Sequence, residues 1–288
     1  MVMEVEEKPP LMVTEVSPSQ GEEATEPPPS QGEEEATESF PSLDGVEEIL
    51  GYRFSDKSLL EEALTHTSYP SKDFSHERLA YVGDSVLNLL ITKEQYFWYP
   101  DLSPGSLTLL RAANVDTEKL ARVAVKHGLH KYLRHNKPLL DKLIEEFTKE
   151  ILKYPLHSNG LVDAPKVLAD TVEAIIGAVF IDAKSSLDIA WSVFKGLLEP
   201  IISPQTLGVH PVKQLFELCQ KKGWSIEFVD LWKESTSYNV PRRGQLIGHA
   251  AYARKKDIAF NRAAKDALDH VDQIFGPERD SSIADDQI

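Results

Sequence analysis

The sequence predicts an all-α domain followed by a small α-β-β-β-α module. Three observations carry this. From Leu43 to Ser203 apolar residues recur at helical spacing between capping residues, without the alternating pattern of strands. From Pro211 onward the order changes to one helix, three short β-branched or aromatic runs and a closing helix. Charge divides at the same place: the net of −15 hides a segment, 210–270, with eleven basic and seven acidic residues.

Residues 1–42 hold eleven Glu and one Lys and repeat themselves, with SQGEEATE at 19–26 and SQGEEEATE at 30–38 around Pro27, Pro28 and Pro29. Such a segment buries too little apolar surface to offset the entropy of ordering, and we expect a disordered acidic arm. The helical domain is expected over 43–203. Asp44 can cap VEEILGY, and Ser55 can cap DKSLLEEALTH, where Leu59, Leu60, Ala63 and Leu64 form one apolar stripe. A long helix follows over 77–98, and Ser103-Pro104 opens another with serine at the cap and proline at the first helical position. DTEKLARVAVKHG closes at Gly128, KPLLDKLIEEFTKEILK is amphipathic, and PKVLADTVEAIIGAVFIDA is apolar nearly all round. SSLDIAWSVFKGLLEP supplies the last helix of the domain.

The second module is expected over 204–275, before a short disordered tail at 276–288. PVKQLFELCQKKG is a helix ending at Gly223. WSIEFVDLW, SYNV and QLIGHAAYA read as strands, and KKDIAFNRAAKDALDHV as a helix that begins on two lysines.

The single cysteine, Cys219, excludes a disulfide scaffold and multi-thiolate zinc sites, and its helical phase with Leu215 and Phe216 predicts a buried thiol. No run approaches the ~20 apolar residues of a membrane span. The acidic N-terminus lacks the basic and apolar regions of a signal peptide, so the expectation is an intracellular protein of the nucleus and/or cytoplasm, without membrane partners.

The chemistry-bearing stretch is HERLAYVGDSVL at 76–87. Glu77 and Asp84 stand seven residues apart, two helical turns, on one face. A second pair, Asp170 and Glu173, sits at i, i+3 inside VLADTVEAIIGAVF. Carboxylates in so apolar a helix are costly to bury unless paired or metal-bound. Two helices aiming acids at one spot would repel, which a divalent cation relieves, and oxygen-only donors favour Mg²⁺ or Mn²⁺ over zinc. Spacing alone favours the plainer reading, charges at a helix N-terminus or salt bridges to Arg78 or Lys166, over a metal site. His127, His130 and His135 lack acidic or thiol partners at metal spacing and read as histidines around a helix end.

HERLAYVGDSVL resembles the signature (N/H)ERLEFLGD(A/S)VL of the ribonuclease III family, and LADTVEAIIGAVF resembles its second acidic motif. ALTHTSY at 63–69 and LLRAANVDTEKLARVAVKHGLHKYL match the remaining motifs, in the family's order, and the texture is closest to small plant ribonuclease III-like proteins. The resemblance implies a helical nuclease domain that pairs as a homodimer. Each subunit would cut one strand of double-stranded RNA by metal-assisted hydrolysis, with Mg²⁺ or Mn²⁺ as cofactor. It implies metal-ligand roles for Asp84, Asp170 and Glu173, with Asp84 and Glu173 catalytic, an outer position for Glu77, and structural roles for His66 and His76. The family's fourth carboxylate falls at position 80, which is alanine here. The alternative is therefore a catalytically weakened relative that binds duplex RNA or pairs with an active homologue. The C-terminal module resembles a double-stranded RNA-binding domain, which implies phosphate contacts from Arg254, Lys255 and Lys256 at the start of its last helix.

Overall fold

The computed structural model describes residues 41–70, 74–242 and 244–275. The predicted tail, and the predicted arm up to residue 40, lie outside them. The first core is built from α1 (Asp44–Leu50), α2 (Lys57–Ala63), α3 (Glu77–Trp98), α4 (Pro104–Val115), α5 (Thr117–Lys126), α6 (Leu140–Ile151), α7 (Lys166–Asp182) and α8 (Leu187–Phe194). Among the described residues of this region the only β pairing is an isolated bridge between Thr65 and Arg134, so it is helical as expected.

The centre is α7. Its side chains from Val167 to Val179 are buried almost continuously, which explains why it reads as apolar on every face, and it packs against α2, α3, α5 and α8. Leu60, Leu64, Leu87, Leu90, Ile91, Leu120 and Phe194 complete the core around it. Asp182, at the C-terminal end of α7, ties the chain entry down: it accepts from Tyr52 Oη (2.7 Å), Ser55 N (3.0 Å) and Asp56 N (2.9 Å).

That anchor moves one predicted cap. Ser55 gives its N–H to Asp182, and Asp56 caps α2 by accepting from Ser58 N at 2.9 Å. Asp44 likewise is the first residue of α1 and not its cap, because its carboxylate is taken by Lys57 (2.6 Å) and Ser42. Ser103 caps α4 as predicted, accepting from Ser106 N with Pro104 at the first helical position.

The second core belongs to α9 (Pro211–Lys222), β1 (Val229–Leu231), a single helical turn α10 (Trp232–Ser235), β2 (Ser237–Arg242), β3 (Gln245–Ala251) and α11 (Lys256–Phe275). The sheet is antiparallel in the order β1-β2-β3, with Tyr238 opposite Ala250. Its buried face meets the alanine stripe Ala259, Ala263, Ala264 and Ala267 of α11, and Cys219 is buried beside Leu215. Gly248 permits the approach: a Cβ there would stand 2.6 Å from the Ala263 carbonyl oxygen. The predicted strand over 224–232 contracts to three residues. Asp230 accepts the Trp232 N–H at 3.0 Å, an Asx turn that bends the backbone into α10 and ends the pairing.

Candidate active site

The site begins with how closely two helices can approach. Where α3 crosses α7, a Cβ on Gly83 would lie 1.7 Å from the Glu173 carbonyl oxygen, and one on Gly177 would lie 2.2 Å from the Leu79 carbonyl oxygen. Both obstacles are backbone, so only glycine allows this separation. Asp84 follows Gly83 directly, and Glu173 supplies the carbonyl that Gly83 faces. The two glycines therefore bring the carboxylates of different helices together.

Electrostatics registers the meeting. Glu173 is pushed up to about 7, first by burial and then by the negative charges of Asp170 and Asp84. Asp84 is exposed and held by Asn88, whose Nδ2 donates to Asp84 Oδ1 and to the Asp84 carbonyl oxygen, each at 2.9 Å. Asp170 accepts from Lys166 Nζ at 2.5 Å. Lys166 is raised chiefly by that bond, with Asp170, Glu173 and Glu77 adding their charge. One cation thus sits within the field of three carboxylates. The salt bridge to Lys166 weighed from spacing exists, and so does the convergence of acids.

Glu77 lies in the exposed first turn of α3 and acts on Lys166; the charges acting on Glu173 are those of Asp170, Asp84 and Lys166. Ala80 is buried, its N–H bonded to the His76 carbonyl at 2.8 Å, and contributes no oxygen. His66 and His76 are buried with rings 5.3 Å apart. Ser68 N–H donates to His66 Nδ1 (2.9 Å), a bond that needs the neutral ring, and burial depresses His66 to about 4. Sequence reasoning missed Asn88, whose i+4 spacing from Asp84 was the available signal, and the two crossing glycines, visible only as isolated glycines inside helical patterns.

Among the described residues no three His, Cys, Asp or Glu side chains are grouped so as to enclose a metal ion. The donor chemistry nevertheless suits a hard divalent cation: the charges of Asp84 and Asp170 act on Glu173 and raise it, and a lysine already answers the negative field.

In the second module all three predicted phosphate-binding cations have carboxylate partners. Lys256 bonds Asp230 of β1 at 2.5 Å. Arg254 reaches Glu146 of α6 at 2.6 Å, and Lys255 reaches Asp163, in the loop before α7, at 2.5 Å.

The family model for the ribonuclease III domain matches residues 77–184, which contain Glu77, Asp84, Asp170 and Glu173. The chain is 52% identical to Ribonuclease 3-like protein 3 of Oryza sativa subsp. japonica over 235 residues, covering 80% of this chain and 79% of that one. It is 46% identical to Endoribonuclease Dicer homolog 1 of Arabidopsis thaliana over 78% of this chain but only 12% of that one. A solved nuclease domain of ribonuclease III from Campylobacter jejuni is 29% identical, covering 56% of this chain and 98% of that chain at a TM-score of 0.46.

Proposed function

The chain belongs to the ribonuclease III family, as an endoribonuclease of that type close to the plant ribonuclease 3-like proteins, and on that premise we propose that it hydrolyses double-stranded RNA with the help of divalent metal ions. The observation that carries the proposal is the glycine crossing that sets Asp84 of α3 against the helix bearing Asp170 and Glu173, whose charges meet at Glu173. These three residues would hold Mg²⁺ or Mn²⁺, with Glu77 at the margin. A divalent ion bound there would supply neutralisation of the phosphate charge and a water of lowered pKa. The chain's own groups do the rest. Glu173, raised to about 7 by burial and by the charges of Asp170 and Asp84, carries the repulsion that a bound cation would relieve. Asn88 orients Asp84, and Lys166 offers a cation to an incoming phosphate.

Hydrolysis of this kind leaves a 5′-phosphate and a 3′-hydroxyl. Those ends are the expected result when duplex RNA products are analysed; cyclic or 3′-phosphate ends would contradict the proposal. The absence of a carboxylate at Ala80 favours a second reading, a weakened relative that binds duplex RNA without cutting it, which would yield complexes and no products.

We also propose that the nuclease domain pairs as a homodimer. Along α3, Tyr81 is 79% exposed, and Leu89, Tyr96 and Phe97 are also exposed. Tyr81 lines a groove of about 630 Å³ together with Leu59, Leu79, Val82 and Ile181, rimmed by the charges of Glu62, Glu77 and Arg78. A projecting aromatic next to an apolar groove is the kind of surface that a two-fold axis makes self-complementary. Sedimentation at micromolar concentration should give twice the chain mass of 32.3 kDa. A single-chain mass would exclude the dimer.

A further inference from the structure

Lys256 bonds Asp230 of its own module, whereas Arg254 and Lys255, just before α11, reach carboxylates of the nuclease domain. Glu146 and Glu150 stand one turn apart on α6, and Asp163 projects from the loop before α7. Arg254 Nη1 bonds Glu146 at 2.6 Å, Lys255 Nζ bonds Asp163 at 2.5 Å, and Arg262 Nη2 lies 3.3 Å from Glu150. Tyr252 Oη donates to Asp163 at 3.1 Å. Neutral bonds reinforce the row: Asn261 donates to the Gly160 carbonyl (2.9 Å) and Arg262 Nε to the Leu161 carbonyl (2.8 Å). Asp163 is the most enclosed member, its side chain only 10% exposed, and it takes charge from both Arg254 and Lys255.

We propose that Glu146 and Asp163 form an acidic latch, with Glu150 on Arg262 beside it, that holds the C-terminal module closed by occupying Arg254 and Lys255, and that duplex RNA opens the latch by competing for them. This rests on the RNA reading above. Arg254 and Lys255 cannot serve a carboxylate and a phosphate at full strength together, so the closed state must release them before RNA engages. Apparent affinity is then reduced by the fraction of molecules already open. The latch therefore lowers affinity without changing how many phosphates the opened module neutralises. The latched loop runs straight into Lys166, three residues beyond Asp163, so opening begins next to the acidic site.

The test uses the full chain and fluorescent duplex RNA in chelator, so that binding is read without cleavage. Glu146→Gln with Asp163→Asn keeps both shapes and removes both charges. Its affinity should rise on the order of tenfold, as expected if about a tenth of the unmodified molecules are open. The slope of log affinity against log salt should stay close to that of the unmodified chain, because the same cations neutralise the same phosphates once the latch is open. Asp141→Asn with Glu145→Gln removes the same charge from α6 outside the latch and should gain little. An equal gain in that control, or no gain in the latch variant, overturns the latch while leaving RNA binding intact. Failure of every protein to bind duplex RNA overturns the RNA reading and the latch with it. If the variant does not fold, hydrogen exchange on the unmodified chain decides. Saturating duplex should speed exchange in 159–164, and unchanged or slower exchange there with RNA bound contradicts the proposal.

Discussion

Gly83→Ala is expected to cost more than about 3 kcal/mol, the upper end of ordinary overpacking, because its new methyl group would stand 1.7 Å from the Glu173 carbonyl oxygen. No rotamer relieves a clash with backbone, so α3 must move away from α7. At roughly 2–4 °C per kcal/mol for a domain of this size, the melting temperature should fall by on the order of 10 °C. Gly177→Ala should behave alike, with Leu79 as the obstacle. The two effects should not add, since either substitution already separates the helices. Cleavage should be lost even below the lowered melting temperature, because the same displacement parts Asp84 from Glu173. An alanine variant that melts like the unmodified protein would show that the crossing is not tight and that the site rests on something else.

Ala80→Glu is expected to raise Mg²⁺-dependent cleavage of duplex RNA at least ~tenfold, for which about 1.4 kcal/mol of added transition-state stabilisation suffices. Position 80 lies one helical turn before Asp84 on α3, and side chains at that spacing are neighbours. A carboxylate there would supply an oxygen that the present site lacks, and half-maximal rate should need less Mg²⁺. Glu77→Gln, made alongside, shows whether the outer acid has taken over ligation: a large loss means that it has, and little change means that it only flanks the site. If Ala80→Glu folds normally and neither rate nor metal requirement moves, the site is not short of a ligand at that position.

The helical order was legible because each helix carries its own periodicity and most carry a local cap, as at Ser103-Pro104. Local rules failed where a distant residue intervened. Asp182 captured the N–H of Ser55 and shifted the cap to Asp56. The strand expected over 224–232 ends at Leu231 for a local reason that was overlooked, the Asx turn at Asp230, while its pairing begins only at Val229. The carboxylates of the site could be named from motif and spacing. That they face one another from two helices was expected as well; what lets α3 and α7 approach, Gly83 and Gly177 on opposite sides of the crossing, was not read from the sequence. The engagement of Arg254 and Lys255 by Glu146 and Asp163 was equally invisible, since it joins elements that no periodicity relates.

Metal-dependent hydrolysis of duplex RNA at Asp84, Asp170 and Glu173 is open to direct measurement. The direct measurement incubates the full chain and Glu173→Gln with long duplex RNA in Mg²⁺, in Mn²⁺ and in chelator, and follows product formation with time. Cleavage by the unmodified chain in either metal, none in chelator and none by Glu173→Gln is the predicted result. Cleavage that persists in chelator, or that Glu173→Gln retains in full, would contradict it.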